Sequence, residues 1–303
     1  MLAYTHPSCL VHDPGNQHAE RPARLRAVLD ALRDAYGDLG WREAPLAPRG
    51  DLLRVHTAGL LDEVLAPDGG VLRQLDQDTA IGPGSGQAAL RAAGAGLAAV
   101  DALMAGEDET AFCAVRPPGH HATPDTAMGF CLFNNIAVAA AHARDRHGLE
   151  RVAIVDFDVH HGNGTQAIFQ RDPRVAYFSS HQSGLYPHTG SLHEHGVGNI
   201  HNALLPPGSG GFRFRNTWLD DLLPELDAFR PQLVLVSAGF DAHLSDPLAD
   251  LMLDADDFAW LTTELRAIAL RHASGRLLSM LEGGYNLDAL AECSVAHVGV
   301  LRR

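Results

Sequence analysis

Five stretches of the chain are apolar without alternation: 111–115, 151–155, 174–180, 233–237 and 276–281. A strand covered on both faces reads as a continuous, β-branched apolar run, whereas a half-exposed strand alternates. These five therefore predict buried strands. Between them the period lengthens to that of a helix. In 19–36, Leu25, Val28, Leu29 and Leu32 share one face and Pro22 falls in the first turn, which predicts an amphipathic helix. Residues 86–105 predict an Ala-rich helix in which Gly94 and Gly96 permit close packing, and further helices are expected from about 135, over 212–229 and over 256–273. The segments 76–86 (DQDTAIGPGSG) and 208–211 read as turns. Strands alternating with helices predict an α/β fold with a parallel sheet covered on both faces, whose ligands bind beyond the carboxyl ends of the strands.

Composition narrows this picture. A chain of 303 residues with 46% hydrophobic content can fill one α/β core, and no repeat, low-complexity tract or linker divides it, so 1–303 is expected to be a single domain. The formal charge of -14 and the lack of a basic patch argue against direct nucleic-acid binding and favour cationic ligands. All 23 Lys+Arg residues are arginine. Cys9, Cys113, Cys131 and Cys293 are scattered with no CxxC pair, which indicates neither a disulfide framework nor a cysteine metal site and suits a reducing cytoplasm. The opening residues carry no export signal pattern and no apolar run reaches membrane-spanning length, so a soluble cytoplasmic protein is expected. Composition leaves the oligomeric state open.

The candidate chemistry sits where the apolar runs stop. The run 151–155 ends in DFDVHHGNGTQ, and period-two geometry would project Asp156, Asp158 and His160 to one side, with Gly162 and Gly164 permitting a sharp turn. After 111–115, Pro117, Pro118 and Gly119 fix a turn presenting His120 and His121; adjacent histidines diverge on most backbones, which suits two separate proton-handling roles better than two ligands of one metal. Asp241 follows 233–237, Tyr285 follows 276–281, and the aromatic loop HQSGLYPHTGS reads as a rim or tunnel wall. A catalytic zinc typically takes three protein ligands and keeps one position open, and Asp158, His160 and Asp241 supply such a set.

Five separated motifs, RPPGHHA, GFCLFNN, DFDVHHGNGTQ, SAGFDAH with DPLA, and LEGGYN, resemble in content and order the zinc-dependent histone deacetylase family of the arginase/deacetylase superfamily. The resemblance runs from about His18 to Asn286, and the motif variants look most like the class II and bacterial amidohydrolase branch. It implies a three-layer α/β/α fold around a mainly parallel sheet of about eight strands. It also implies one Zn2+ per chain on Asp158, His160 and Asp241. His121 would be general base and acid, His120 its electrostatic partner, with Asp156 behind His120 and Asn163 behind His121. Many class I relatives have Asp at this last position, and the neutral Asn raises imidazole basicity less. Tyr285 matches the hydroxyl donor to the substrate carbonyl; some relatives with His there are poor deacetylases. The family's potassium site corresponds to Asp156, Ser179 and the backbone of Asp158 and His160, and a second potassium follows the Gly-rich turn.

The same resemblance makes Phe130 and Tyr186 tunnel walls and the Gly129 carbonyl an acceptor for the amide N–H. Leu248 stands where the polyamine-preferring relative has a gatekeeper glutamate, and the loop lacks the long insertion of dimeric bacterial acetylpolyamine enzymes. Asp78 at the rim could bind a peptide backbone or an amine, or cap a turn. The implied activity is hydrolysis of acetyl or other short acyl groups from Nε-acyl-lysine in proteins or peptides. An acetylpolyamine or other small-molecule amidohydrolase is the alternative, and a non-catalytic ligand-binding protein the non-enzymatic one. An arginase-type two-metal hydrolase would need more carboxylates.

Overall fold

The structure, a computed structural model, describes residues 1–15, 17–67 and 69–303. In chain order its strands are β1 (Leu2–Thr5), β2 (Trp41–Glu43), β3 (Arg73–Gln74), β4 (Ala80–Ile81), β5 (Thr110–Cys113), β6 (Val152–Asp156), β7 (Val175–Gln182), β8 (Ile200–Leu205), β9 (Leu233–Ala238) and β10 (Leu277–Leu281). Its helices are α1 (Pro22–Ala35), α2 (Arg49–Leu52), α3 (Ala58–Val64), α4 (Ser85–Met104), α5 (Asn135–His147), α6 (Asn163–Phe169), α7 (Gly211–Thr217), α8 (Leu223–Phe229), α9 (Ala255–His272) and α10 (Leu287–Leu301).

Eight strands form one sheet in the order β2-β1-β5-β10-β9-β6-β7-β8, with every neighbouring pair parallel. Strands β5, β6, β7, β9 and β10 are buried along their whole length, which is why they lack alternation. One helical group, α1, α9 and α10, packs together, and another, α4 with α5, lies against the central strands, giving the α/β fold with a covered parallel sheet. The last two strands of the chain enter between β5 and β6. The carboxyl ends of four adjacent strands are thereby brought side by side, although they come from widely separated parts of the sequence.

Several elements depart from the sequence expectations. The segment 76–86 is not all turn, because β4 pairs antiparallel with β3. The helix expected over 212–229 is three pieces: α7, one π-helical turn (Trp218–Leu222) and α8, whose first turn contains Pro224, a residue with no N–H for a helical bond. Strands β1, β2 and β8 and helix α10 left no recognisable period. Here β2 is short and half-exposed, and α10 buries one face while its sequence is apolar nearly all round.

Gly94 behaves as its helix predicts: a Cβ there would stand 1.9 Å from the Pro45 carbonyl oxygen. Gly94→Ala should cost about 1–3 kcal/mol of overpacking, read as a lower urea midpoint.

His56 and His297 are buried and neutral, burial lowering their pKa values to about 4 and about 3. His297 is held between Thr262 and Ser279 hydroxyls at 2.7 and 2.8 Å. Below the unfolded value of about 6.5 the unfolded chain binds protons that the folded chain refuses, so stability falls as pH drops. The loss should be about 2 kcal/mol per group between pH 7 and pH 5 in urea titrations, and His297→Gln should lessen the pH slope by one group's share.

Candidate active site

Strand β6 stops at Asp156, and the carboxylates that follow bend the chain. Asp156 Oδ1 accepts the Asp158 N–H at 3.2 Å, and Asp158 Oδ1 accepts the His160 N–H at 2.9 Å. Asp158 and His160 thus reach the cavity on successive side-chain turns rather than by the strand alternation the sequence suggested. Gly162 has an ordinary φ of -75°, and Gly164 is not among the positive-φ residues, so neither glycine is there to make a left-handed turn. Crowding explains them. A Cβ on Gly162 would lie 2.3 Å from Asp156 Oδ2, and one on Gly164 would lie 2.2 Å from the Ala122 carbonyl oxygen.

Asp158, His160 and Asp241 are all buried, and their ligand atoms lie within 4.8 Å of one another. His160 Nδ1 is 3.0 Å from Asp158 Oδ1 and 3.2 Å from Asp241 Oδ2. The backbone supports both carboxylates: Gly283 N–H donates to Asp158 Oδ2 at 2.9 Å, and Val159 N–H to Asp241 Oδ1 at 3.0 Å. Asp241 Oδ2 is buried and makes no aligned hydrogen bond, its polar neighbour being His160 Nδ1 at 3.2 Å. A buried, unsatisfied carboxylate oxygen is costly. Two carboxylates and an imidazole around such an atom fit a divalent cation.

The paired histidines have separate partners although their rings do not diverge, the centroids standing 4.0 Å apart at 45°. His120 Nδ1 lies 3.0 Å from Asp156 Oδ2, and His121 Nδ1 2.8 Å from Asn163 Oδ1. These acceptors put the proton of each ring on Nδ1. Burial disfavours a charged His120, but the Asp156 and Asp158 carboxylates prevail and hold its pKa well above the usual histidine value. Burial lowers that of His121, and the positive charges of His120 and His160 lower it further. Asp156 also accepts the Tyr177 hydroxyl at 2.9 Å and is the sheet register partner of Ser179. Ser179 Oγ is 2.9 Å from His181 Nδ1, whose Nε2 is 3.1 Å from the Gly190 carbonyl. His181 therefore donates through Nε2 and accepts through Nδ1, leaving the Ser179 oxygen lone pairs available.

Above these groups a cavity of about 240 Å³ is lined by His121, His160, Gly129, Phe130, Tyr186 and Tyr285, with Leu185, Leu248 and Asp78 completing the wall. Tyr186 meets His121 edge-on at 5.2 Å, and Phe130 meets Tyr285 edge-on at 5.8 Å. Gly129 and Phe130 have φ of 57° and 67°, and a Cβ on Gly129 would strike His121 at 2.4 Å. Asp78 Oδ1 accepts the Gly129 N–H at 3.1 Å, so this carboxylate fixes the wall as well as lining it. Asp246, in the DPLA motif, accepts the Tyr285 N–H at 2.7 Å and the Leu248 N–H at 3.0 Å, positioning both.

Sequence reasoning passed over a second layer behind this wall. Arg24 Nε donates to the Gly284 carbonyl at 2.5 Å, its Nη2 donates to that of Glu282 at 2.6 Å, and its guanidinium lies 4.8 Å from the centre of the Tyr285 ring. Glu20 binds Arg116 through both oxygens and Arg24 at 3.1 Å. Glu282 Oε2 accepts the N–H groups of Gly119 and His120 at 2.6 and 3.2 Å, and burial raises its pKa to about 7. The available signal was Arg24, a charged residue among the buried apolar positions of α1.

The fold and this site gather two carboxylates, an imidazole and a His–Asn pair at the carboxyl ends of the central strands of a parallel sheet, and comparison with known proteins assigns the class. The profile of the histone deacetylase domain matches residues 18–301. The chain belongs to the histone deacetylase family. It is 45% identical over 287 residues to a histone deacetylase-like amidohydrolase of Pseudomonas aeruginosa, covering 92% of this chain and 75% of that protein. It is 38% identical to the human polyamine deacetylase HDAC10, over 93% of this chain and 44% of that protein. The crystal structure of the HDA15 HD domain superposes with a TM-score of 0.94 at 35% identity, covering 99% of this chain and 87% of that one. The chain is accordingly an enzyme of the deacetylase and amidohydrolase type, acting on amides. Among the described residues no helix is long and apolar enough to cross a membrane.

Glu20→Gln would leave Arg24 and Arg116 buried with too little counter-charge. A loss of about 3–5 kcal/mol in urea-measured stability is expected.

Proposed function

We propose that this enzyme removes acetyl or other short acyl groups from Nε-acyl-lysine in proteins or peptides, with one Zn2+ per chain held by Asp158, His160 and Asp241. The observation that carries the proposal is the convergence of two buried carboxylates and one imidazole, with Asp241 Oδ2 making no aligned hydrogen bond, at the foot of a narrow aromatic tunnel. Bound Zn2+ supplies Lewis-acid polarisation of the amide carbonyl and brings the pKa of water down to about 7.

The side chains have separable tasks in this reading. His121, its Nδ1–H fixed by Asn163, offers a neutral Nε2 that takes the proton of the attacking water and returns it to the leaving amine. His120 stays positive on Asp156 and keeps its neighbour neutral. Tyr285 donates its hydroxyl to the developing oxyanion, a contribution on the order of 3 kcal/mol for one such donor. Phe130 and Tyr186 admit a linear aliphatic chain, and the Gly129 carbonyl accepts the amide N–H. Asp156 and Ser179, with the backbone of Asp158 and His160, hold a structural K+. Residues 1–303 act as one catalytic domain, and the four free, buried cysteines suit a reducing cytoplasm.

Leu248 at the tunnel wall offers no carboxylate to an internal ammonium, which favours acyl-lysine. The specific observation favouring acetylated amines is Asp78, a carboxylate lining the same cavity of a chain with net charge -14. Tyr285→Phe should slow hydrolysis of an acetyl-lysine fluorogenic peptide about 100-fold while zinc content stays the same; unchanged rates contradict the oxyanion role. In a substrate panel, kcat/KM should be greater for acetyl-lysine peptides than for N-acetylputrescine or N-acetylspermidine, and the reverse order transfers the assignment to small amines.

A further inference from the structure

Where α4 and α5 finish, just before β5 and β6 begin and so toward the opposite ends of these strands from the tunnel, another group of metal-ligating side chains joins the two helices. Asp101 Oδ1 lies 2.7 Å from His142 Nε2 and 2.7 Å from His147 Nε2. The ligand atoms of the three residues fall within 4.8 Å of one another, with His142 buried, His147 half-buried and Asp101 exposed. The two rings stand 5.6 Å apart at 76°. Both converge on a single carboxylate oxygen.

We infer that Asp101, His142 and His147 form a second divalent-cation site, of two imidazoles and one carboxylate, that binds Zn2+ and pins α4 to α5. Imidazole and carboxylate donors in this ratio suit zinc. Arg54 is taken up by Asp51 and by Asp145 at 3.2 Å, and Arg144 by Asp172, so of these cations none is paired with Asp101. The last turns of two helices also direct their partial negative charge toward this corner.

In the hydrogen-bonded arrangement each Nε2 carries a proton to Asp101, and His142 Nδ1 lies 3.3 Å from Arg54 Nη1, a donor. To bind metal, each neutral imidazole moves its proton from Nε2 to Nδ1 and presents the Nε2 lone pair. Asp51 Oδ1, 3.4 Å from His142 Nδ1, is placed to receive the relocated proton's hydrogen bond, and the Arg54 Nη1 donor must then turn from Nδ1 to its carboxylate partners Asp51 and Asp145. Neutral rings release no proton on loading, and each imidazolium releases one. With metal–ligand bonds of about 2.0–2.1 Å in tetrahedral geometry, the donors would sit about 3.3 Å apart. The present 2.7 Å separations must therefore open slightly, and the exposed Asp101 side chain is free to make that adjustment. Water completes the coordination.

The test counts metal in the zinc-loaded enzyme. After equilibrium dialysis against micromolar Zn2+, elemental analysis should find one more equivalent in the wild type than in His147→Ala or Asp101→Ala, whatever the tunnel holds. Turnover should be the same in all three. Added Zn2+ should raise the Tm of the wild type but not of the variants. His147→Gln, which keeps polarity at the helix end, guards against a folding artefact. Equal zinc counts in wild type and folded variants overturn the site, whether the shared count is high or low. The readout does not depend on acyl-lysine turnover, so its failure and that of the proposed activity are distinguishable.

Discussion

Three carboxylates, Asp156, Asp158 and Asp241, are buried side by side beyond the ends of β6 and β9, and the rest of the site answers to that fact. Carboxylates do not stay ionised in a protein interior without compensation. Backbone N–H groups, the His120 and His160 imidazoles and the Tyr177 hydroxyl satisfy part of the demand. One Asp241 oxygen has only an unaligned contact with His160 Nδ1, at 3.2 Å. A cation between Asp158, His160 and Asp241 resolves the imbalance, so the same geometry that makes the site costly makes it a metal site. The glycines follow from it too: a Cβ on Gly239 or Gly283 would stand 2.0 Å from a carboxylate oxygen of Asp158 or Asp241.

Sheet topology makes the convergence possible. Because β9 and β10 insert between β5 and β6, the loops carrying His120 and His121, Tyr285, Asp241 and the Asp158–His160 turn leave adjacent strands. Holding them there needs a second layer that is itself charged. Arg24 ties the backbone at Glu282 and Gly284, on either side of the Gly283 N–H that supports Asp158, and Glu20 supplies the counter-charge that Arg24 shares with Arg116. Asp246 anchors Tyr285 from the other side.

Much of this was legible because apolar runs ending in Asp or His are physically anomalous. The five covered strands, the family motifs and the donor set of Asp158, His160 and Asp241 all come from that contrast. Other parts had no local signature. Strand β2 is a half-exposed edge, α10 is too evenly apolar to show a face, and the helix over 212–229 is interrupted near Pro224. Arg24 reaches Gly284 across 260 positions of sequence, so no local pattern could pair them. The reason given for Gly162 and Gly164 also had to change: crowding, not turn geometry, excludes a side chain there. Asp78 was read as a rim group, and its bond to the Gly129 N–H adds a wall-fixing task.

Anomalous diffraction at the zinc absorption edge, from crystals of active enzyme never exposed to added metal, addresses the central assignment most directly. A strong peak within bonding distance of Asp158, His160 and Asp241 is the predicted result. An active crystal with no anomalous scatterer of any transition metal between those three residues contradicts it.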